Sequence, residues 1–304
     1  MSVHSKGILY SAITALCWGL LAIGLKVAVQ EFNPVTLVWM RFFIAFLILL
    51  GWQLYRNPAS LKIMITPPLL LVVATLALAW NYYGFMWGVF YTTPSNAQLF
   101  IQFGPMLLAL SGLIIFKERF SLIQGIGFAI ALTGFAFFYA DQLSAFFDGK
   151  SQYNLGVILT LSGATAWTVY AILQKLLIQK YSASALNLFL FGFPSLLFLP
   201  FIDLSPILHL GWEWWLLILF IGANTFISYT TLAEALGYLE ASKVSVIIFL
   251  NPIITFTLMG ILTFMEVDWI IHERFSPVTI LGATLVIGGA FLVVRKKSRK
   301  TITN

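Results

Sequence analysis

Residues 15–30 read ALCWGLLAIGLKVAVQ, and residues 164–179 read ATAWTVYAILQKLLIQ. The two stretches agree at Ala15 and Ala164, Trp18 and Trp167, Ala22 and Ala171, Ile23 and Ile172, Lys26 and Lys175, and Gln30 and Gln179, always at a shift of 149. The same shift pairs Gly7 with Gly156 and Phe42 with Phe191. Farther along the shift becomes 147, pairing Tyr82 with Tyr229, Tyr91 with Tyr238, Ser95 with Ser242 and Pro105 with Pro252. The phrase Glu-Arg-Phe-Ser recurs at 118–121 and 273–276. The chain therefore holds two copies of one unit, over residues 7–140 and 156–294.

Of the 304 residues, 60% are hydrophobic and 9% charged, whereas a water-soluble domain carries roughly a quarter charged. That composition predicts a membrane protein. Ten apolar runs are legible, at about 7–29, 34–55, 68–91, 95–116, 121–140, 154–177, 184–202, 213–236, 243–265 and 277–294. At roughly 1.5 Å per residue, runs of about 20 residues span a hydrocarbon core of ~30 Å. Such continuous runs are helical, because backbone groups in lipid must be satisfied within the segment and barrel strands would be short and alternating. The expected fold class is thus an all-α membrane protein of ten transmembrane helices. The first run is too long for a signal-peptide core and lacks a small-residue cleavage site, so it is expected to stay as a helix. Cys17, the single cysteine, is read as a small apolar residue with no role.

The net charge of +6 is sorted by side. Threading ten helices from a cytoplasmic N-terminus gathers Lys6, Arg56, Lys62, Lys117, Arg119, Lys175, Lys180, Lys243, Arg295, Lys296, Lys297, Arg299 and Lys300 on one side, 13 of 17 basic residues. The other side receives Lys150 and Arg274, together with Glu31, Asp141, Asp148, Asp203, Glu213, Glu266, Asp268 and Glu273. The positive-inside rule then predicts both termini in the cytoplasm. The basic tail reads as a topological anchor near anionic lipid rather than a nucleic-acid site. Five helices per copy is an odd number, so the second copy enters the membrane from the opposite side and the repeat is inverted. An inverted repeat builds two related gates around a midplane site, the arrangement of alternating access. The units read as 1–145 for the first five-helix repeat, 146–153 for an extracytoplasmic linker, 154–296 for the second repeat and 297–304 for the basic tail.

The whole chain resembles the drug/metabolite transporter superfamily in its ten-helix EamA-type form. The features that carry the likeness are the Trp18 region, Arg41, the run from Ser95 through Pro105 to Phe116-Lys117-Glu118, the glycines Gly125, Gly127 and Gly134, and Tyr238-Leu-Glu-Ala-Ser-Lys-Val leading to Asn251-Pro252. The chain departs from the pattern at 266–275, where about eight extra residues including Asp268, Trp269 and His272 leave either Glu266 or Glu273 as the counterpart of Glu118. The resemblance implies export of amino acids, other small metabolites or drugs from a bacterial inner membrane, without naming the solute.

Polar and aromatic side chains at lipid depth are expected to face protein or a water-filled cavity. Ser95, Gln98, Gln102 and Pro105 form one stripe on the fourth run. The third run carries Trp80, Asn81, Tyr82, Tyr83 and Trp87, and its partner, the eighth, carries Asn224, Ser228, Tyr229, Thr231 and Glu234. The substrate-contact candidates are Trp18, Trp80, Asn81, Tyr82, Gln98, Gln102, Trp167, Tyr170, Asn224, Ser228, Tyr229 and Ser245. Trp18 and Trp167 are expected to face each other as an apolar clamp, with Asn81, Gln98, Gln102 and Asn224 supplying hydrogen bonds; core packing would account for the same aromatics. Gly84 with Gly88, and Gly282 with Gly288 and Gly289, point to close helix packing, within the chain or in a dimer.

The gating or coupling candidates are Lys26, Arg41, Lys175, Glu234 and Lys243. Lys26 and Lys175 fit either opposite gates or snorkelling to the headgroups. Arg41 is deeper and needs a partner. Glu234 is placed to pair with Lys175 or Lys243 at an inner gate, or to carry a proton. His4, His209 and His272 sit at helix ends or tails, and neither a nucleophile with its base nor a Walker-type loop is legible, so an enzyme is not expected. The expected partners are a small-molecule solute and the lipid bilayer, with no nucleic acid, no metal or organic cofactor, and a monomer or homodimer as the assembly. A channel-like facilitator or a non-transporting scaffold is the alternative class.

Overall fold

A computed structural model describes residues 2–92, 94–118, 121–138, 151–267 and 276–295. Arg119, Asp141, Asp148, Lys150, the insertion from Asp268 to Arg274 with His272 and Glu273, and the tail 297–304 lie outside the described residues, as does the Ser95 side chain.

Each expected apolar run is occupied by helix. The first copy contains α1 (Val3–Ala28), α2 (Pro34–Arg56), the short α3 (Lys62–Ile65), α4 (Leu69–Tyr91), α5 (Pro94–Ile101), α6 (Phe103–Ile114) and α7 (Leu122–Phe138). The second contains α8 (Ser151–Leu177), α9 (Ala183–Phe198), α10 (Trp212–Tyr238), α11 (Ala241–Ile248), α12 (Asn251–Phe264) and α13 (Pro277–Arg295). Seven spans, counting α11 with α12 as one, are long and apolar enough to cross a membrane, and α6, α7 and α13 are shorter apolar helices. Leu47, Leu110, Ile158 and Leu219 are exposed on the outside, a surface suited to lipid tails.

The fourth and ninth runs, expected as continuous helices, are each broken in two. Pro105 has no N–H for the carbonyl of Ile101 and Pro252 none for that of Ile248, so the ladder fails at equivalent places. The breaks fall at Gln102 and at Phe249-Leu250.

The two copies share their punctuation. Asn33 caps α2 by accepting from the Thr36 N–H at 2.8 Å, and Ser182, its equivalent by the shift of 149, caps α9 by accepting from the Ala185 N–H at 3.3 Å. Lys117 and Glu266, which follow the ends of α6 and α12, are both in the left-handed region, at φ 52° and 53°. In backbone conformation Glu266 is like Lys117.

The helices exchange partners between copies. Helix α1 packs on α10 and α8 on α4, while α7 packs on α13 and α2 on α9. Tyr10, near the N-terminal end of α1, stacks on Tyr238 at the C-terminal end of α10. Lys175, at the C-terminal end of α8, reaches the same end of α10. The equivalent helices α1 and α8 thus run in opposite directions.

Several interior threonine hydroxyls are satisfied within their own helix or by the neighbouring one, a need where water is scarce. Thr14, Thr75, Thr160 and Thr225 donate to carbonyls four residues back. Thr168 of α8 donates to Gly104 O at 3.0 Å, and Thr255 of α12 to Gly19 O at 2.8 Å, so α8 on α6 repeats as α12 on α1.

The glycines of α4 press on α8. A Cβ at Gly84 would meet the carbonyl of Leu159 and one at Gly88 the hydroxyl of Thr160. On α13, a Cβ at Gly289 would lie 2.5 Å from Ala131 N of α7, whereas Gly288 faces open space. Gly88→Leu is expected to cost at least about 1–3 kcal/mol by overpacking, read as loss of the monodisperse peak on size exclusion in detergent. Gly288→Leu should leave that peak in place.

Candidate functional site

The broken segments meet the first and third helices of both copies around a cavity of about 60 Å³. Since one water needs roughly 10–15 Å³ by this measure, it holds only a handful of waters. An amino-acid-sized solute enters only if its walls move.

Two repeat-related aromatic pairs form the walls. Trp18 meets Trp167 edge to face with centroids 5.8 Å apart, and Tyr82 lies 5.6 Å from Tyr229. Tyr229 also touches Trp18 at 5.5 Å. The equivalent residues meet because both sit on helices facing the pseudo-twofold axis. Asn81 donates to Gly163 O at 3.0 Å, Gln98 to Trp18 O at 3.4 Å, and Gln102, at the break, to Asn251 Oδ1 at 2.8 Å. Arg41 lines the same cavity from α2. Gln102 Oε1, Trp167 Nε1 and Arg41 Nη1 are buried without a hydrogen-bond partner.

Five of the twelve substrate-contact candidates are not on the lining. Trp80 is 45% exposed and donates to Ser162 Oγ. The lining arc of α4 runs through Asn81, Tyr82 and Phe85, and Trp80, about 200° around the helix from Tyr82, falls outside it. Tyr170 packs behind the wall, 5.7 Å from Tyr229 and 6.5 Å from Trp167. Asn224 is engaged with Cys17 O at 2.8 Å. Ser228 and Ser245 donate to Thr225 O and Ala241 O of their own helices. Phe85, Pro105 and Asn251 line the cavity and were not among the twelve; the position of Pro105 and Asn251 at the helix breaks was the available signal.

The lysines cap helices. Lys26 approaches Val89 O at 3.5 Å near the C-terminus of α4, and Lys175 donates to Leu236 O at 3.3 Å and Leu239 O at 2.7 Å at that of α10. Val89 and Leu236 are equivalents at the shift of 147. Each cation completes the last carbonyls of the third long helix of its own copy, α4 for Lys26 and α10 for Lys175, where the helix dipole favours positive charge.

The ion pair expected of Glu234 is not made. Lys243 pairs with Glu240 at 2.7 Å, and Lys175 lies 3.9 Å from Glu118. Three residues separate Glu240 from Lys243, one helical turn, which is why Glu240 takes that cation. Glu118 also accepts the Ala241 N–H at 2.7 Å, the Ser242 N–H at 3.1 Å and the Ser242 hydroxyl at 2.6 Å. A carboxylate from the end of the fourth segment thereby caps the free N–H groups that open α11. With Tyr10 stacked on Tyr238 at 5.9 Å, this latch ties together the ends of α1, α6, α8 and α10 and the start of α11.

The profile of the EamA-like transporter family matches residues 5–140 and 154–295. An uncharacterized transporter of Haemophilus influenzae is 33% identical over 288 residues, covering 94% of each chain. The uncharacterized inner membrane transporter YhbE of Escherichia coli is 30% identical over 289 residues, covering 93% of this chain and 89% of that one. A solved structure described only as that of a protein superposes with a TM-score of 0.75 over 95% of this chain and 97% of its own at 18% identity, a likeness of fold.

Glu118→Ala leaves the α11 N–H groups and the Lys175 ammonium without their anion, a loss of about 1–2 kcal/mol. The expected outcome is an apparent melting midpoint in detergent lowered by about 2–5 °C, with Glu118→Gln intermediate. An unchanged midpoint in both variants would show that the latch does not hold these segments together.

Proposed function

The chain belongs to the EamA-like transporter family and is a multi-pass membrane transporter, and on that premise we propose that it exports small amphipathic metabolites, amino acids or similar solutes, by alternating access across a bacterial inner membrane. Ten crossings, five per copy in opposite senses with both termini cytoplasmic, are part of this proposal. The antiparallel course of α1 and α8, the exchanged packing partners and the charge sorting support it.

One observation carries the mechanism: a single cavity lies where both broken segments and both tryptophans converge. Interrupted helices leave carbonyls and N–H groups to be satisfied by neighbours or by a solute, which is how transporter sites form at the midplane. The Glu118 latch and Lys175 form the cytoplasmic gate in this scheme, and Lys26 belongs to the opposite one. Opening the inner gate requires the α11 N-terminus to leave Glu118, while the equivalent movement of α5 opens the other side. Proton coupling is not assigned to Glu234, which is absent from the cavity lining.

Counterflow in proteoliposomes, with labelled neutral and aromatic amino acids beside a nucleobase and a cationic dye, tests the proposal. Saturable exchange of one class is expected, with Trp18→Ala and Trp167→Ala each weakening it by about tenfold or more. Flux linear in concentration would instead favour a channel-like facilitator. Glu234→Gln is expected to retain accumulation at every pH and gradient tried; its selective loss under a proton gradient, with exchange intact, would assign coupling to that residue.

A further inference from the structure

Arg41 is a positive charge without a counter-charge among the described residues. It is 3% exposed, two turns into α2, and lines the central cavity. Its Nε donates to Thr225 Oγ1 at 3.2 Å, its guanidinium carbon lies 4.1 Å from the centre of the Tyr82 ring, and its Nη1 has no partner. Both ion pairs among the described residues use lysines. Glu234 is nine residues beyond Thr225 on α10, about 13 Å along the helix axis, and is out of reach.

A hydroxyl and a ring face orient a guanidinium but do not neutralise it. The same lining carries two more unsatisfied donors, Trp167 Nε1 and the Tyr82 hydroxyl. Three buried donors, one of them cationic, thus belong to a lining that contains no carboxylate among the described residues. Resting on the transport reading, we propose that the missing counter-ion is the solute's: the cavity binds a small organic carboxylate, with Arg41 engaging the carboxylate and the rings of Trp18, Trp167 and Tyr229 holding the apolar part.

Charge balance selects the class. One guanidinium neutralises one carboxylate, whereas a phosphate dianion would leave a surplus charge buried in a narrow cavity, and a cation would meet Arg41 directly. Arginine suits the task because its planar fork matches the two carboxylate oxygens, while an ammonium presents only a point charge. The stacking of Tyr82 on Phe42 at 4.2 Å fixes the ring beneath the guanidinium and so keeps the fork aimed. Gln102 Oε1, an unsatisfied acceptor in the same lining, accommodates a donor elsewhere on the solute.

The test reads binding, through ligand-induced thermal stabilisation of the purified full-length protein. The probes are isobutyrate and 3-phenylpropionate, each beside its primary amide, with phenethylamine as the cationic contrast. The acids are expected to half-saturate at concentrations about 10- to 100-fold below their amides, the range of a charge-assisted hydrogen bond. Arg41→Gln should erase that preference and Arg41→Lys retain part of it. Equal effects of acid and amide, preference for the amine, or no stabilisation by either acid would overturn the assignment. The wild-type comparison decides even if Arg41→Gln does not fold. Saturable counterflow of neutral or cationic solutes without acid preference would overturn the role of Arg41 and leave the transport reading standing.

Discussion

A backbone surrounded by lipid has no water to complete its hydrogen bonds, and this constraint governs where the chain can be irregular. Thirteen helices satisfy almost the whole described backbone internally, and the mid-segment interruptions fall at Gln102 and at Phe249-Leu250. Neither break faces outward. Gln102 is fully buried, Asn251 is 3% exposed and Phe249 is 1% exposed. The prolines that force the breaks also force their enclosure, and the enclosure contains the cavity. Site and helix break are two aspects of one cost, since freed carbonyls are tolerable only where protein or solute replaces lipid.

The same scarcity of solvent organises the charges. Lys26 and Lys175 reach carbonyl groups at helix ends, Glu118 reaches N–H groups at another, and Lys243 has Glu240. Each of these sits near a helix terminus, where unsatisfied backbone groups and the helix dipole already supply the opposite partial charge. Arg41 sits two turns inside α2, and the contacts that hold it are a hydroxyl and a ring. The contrast separates charges that hold segments together from the one that faces the solute space.

Much of this organisation was legible in the sequence because the chain repeats itself. The repeat singled out Trp18 with Trp167 and Tyr82 with Tyr229, and in the fold each pair meets. Composition and run length located the helices to within a few residues. What escaped depended on angular phase or on distant contacts. Trp80 and Asn81 adjoin in sequence yet only Asn81 lines the cavity, and no periodicity is resolved among so many apolar neighbours. Glu118 caps a helix that begins 123 residues later, and a cap of such span leaves no local signature, unlike the Asn33 and Ser182 caps three residues from their donors. Glu234 drew attention as a carboxylate within a span, but at each lysine a closer anion was available. The helix breaks were implicit in Pro105 and Pro252, although hydropathy averaged across them reads as unbroken.

Lys117 and Glu266 hold the same left-handed backbone conformation just beyond the ends of α6 and α12, with opposite charge. Neither residue type favours that conformation over glycine, so the turn is imposed by the helix end and its neighbours rather than chosen by the side chain. Under the proposed topology the lysine faces the cytoplasm and the glutamate the opposite compartment, as orientation by basic loops requires. The turn is inherited architecture and the charge is an address. Two polypeptide halves can share one blueprint while being inserted upside down relative to each other because the information for shape and for sidedness is written in separable parts of the same residue.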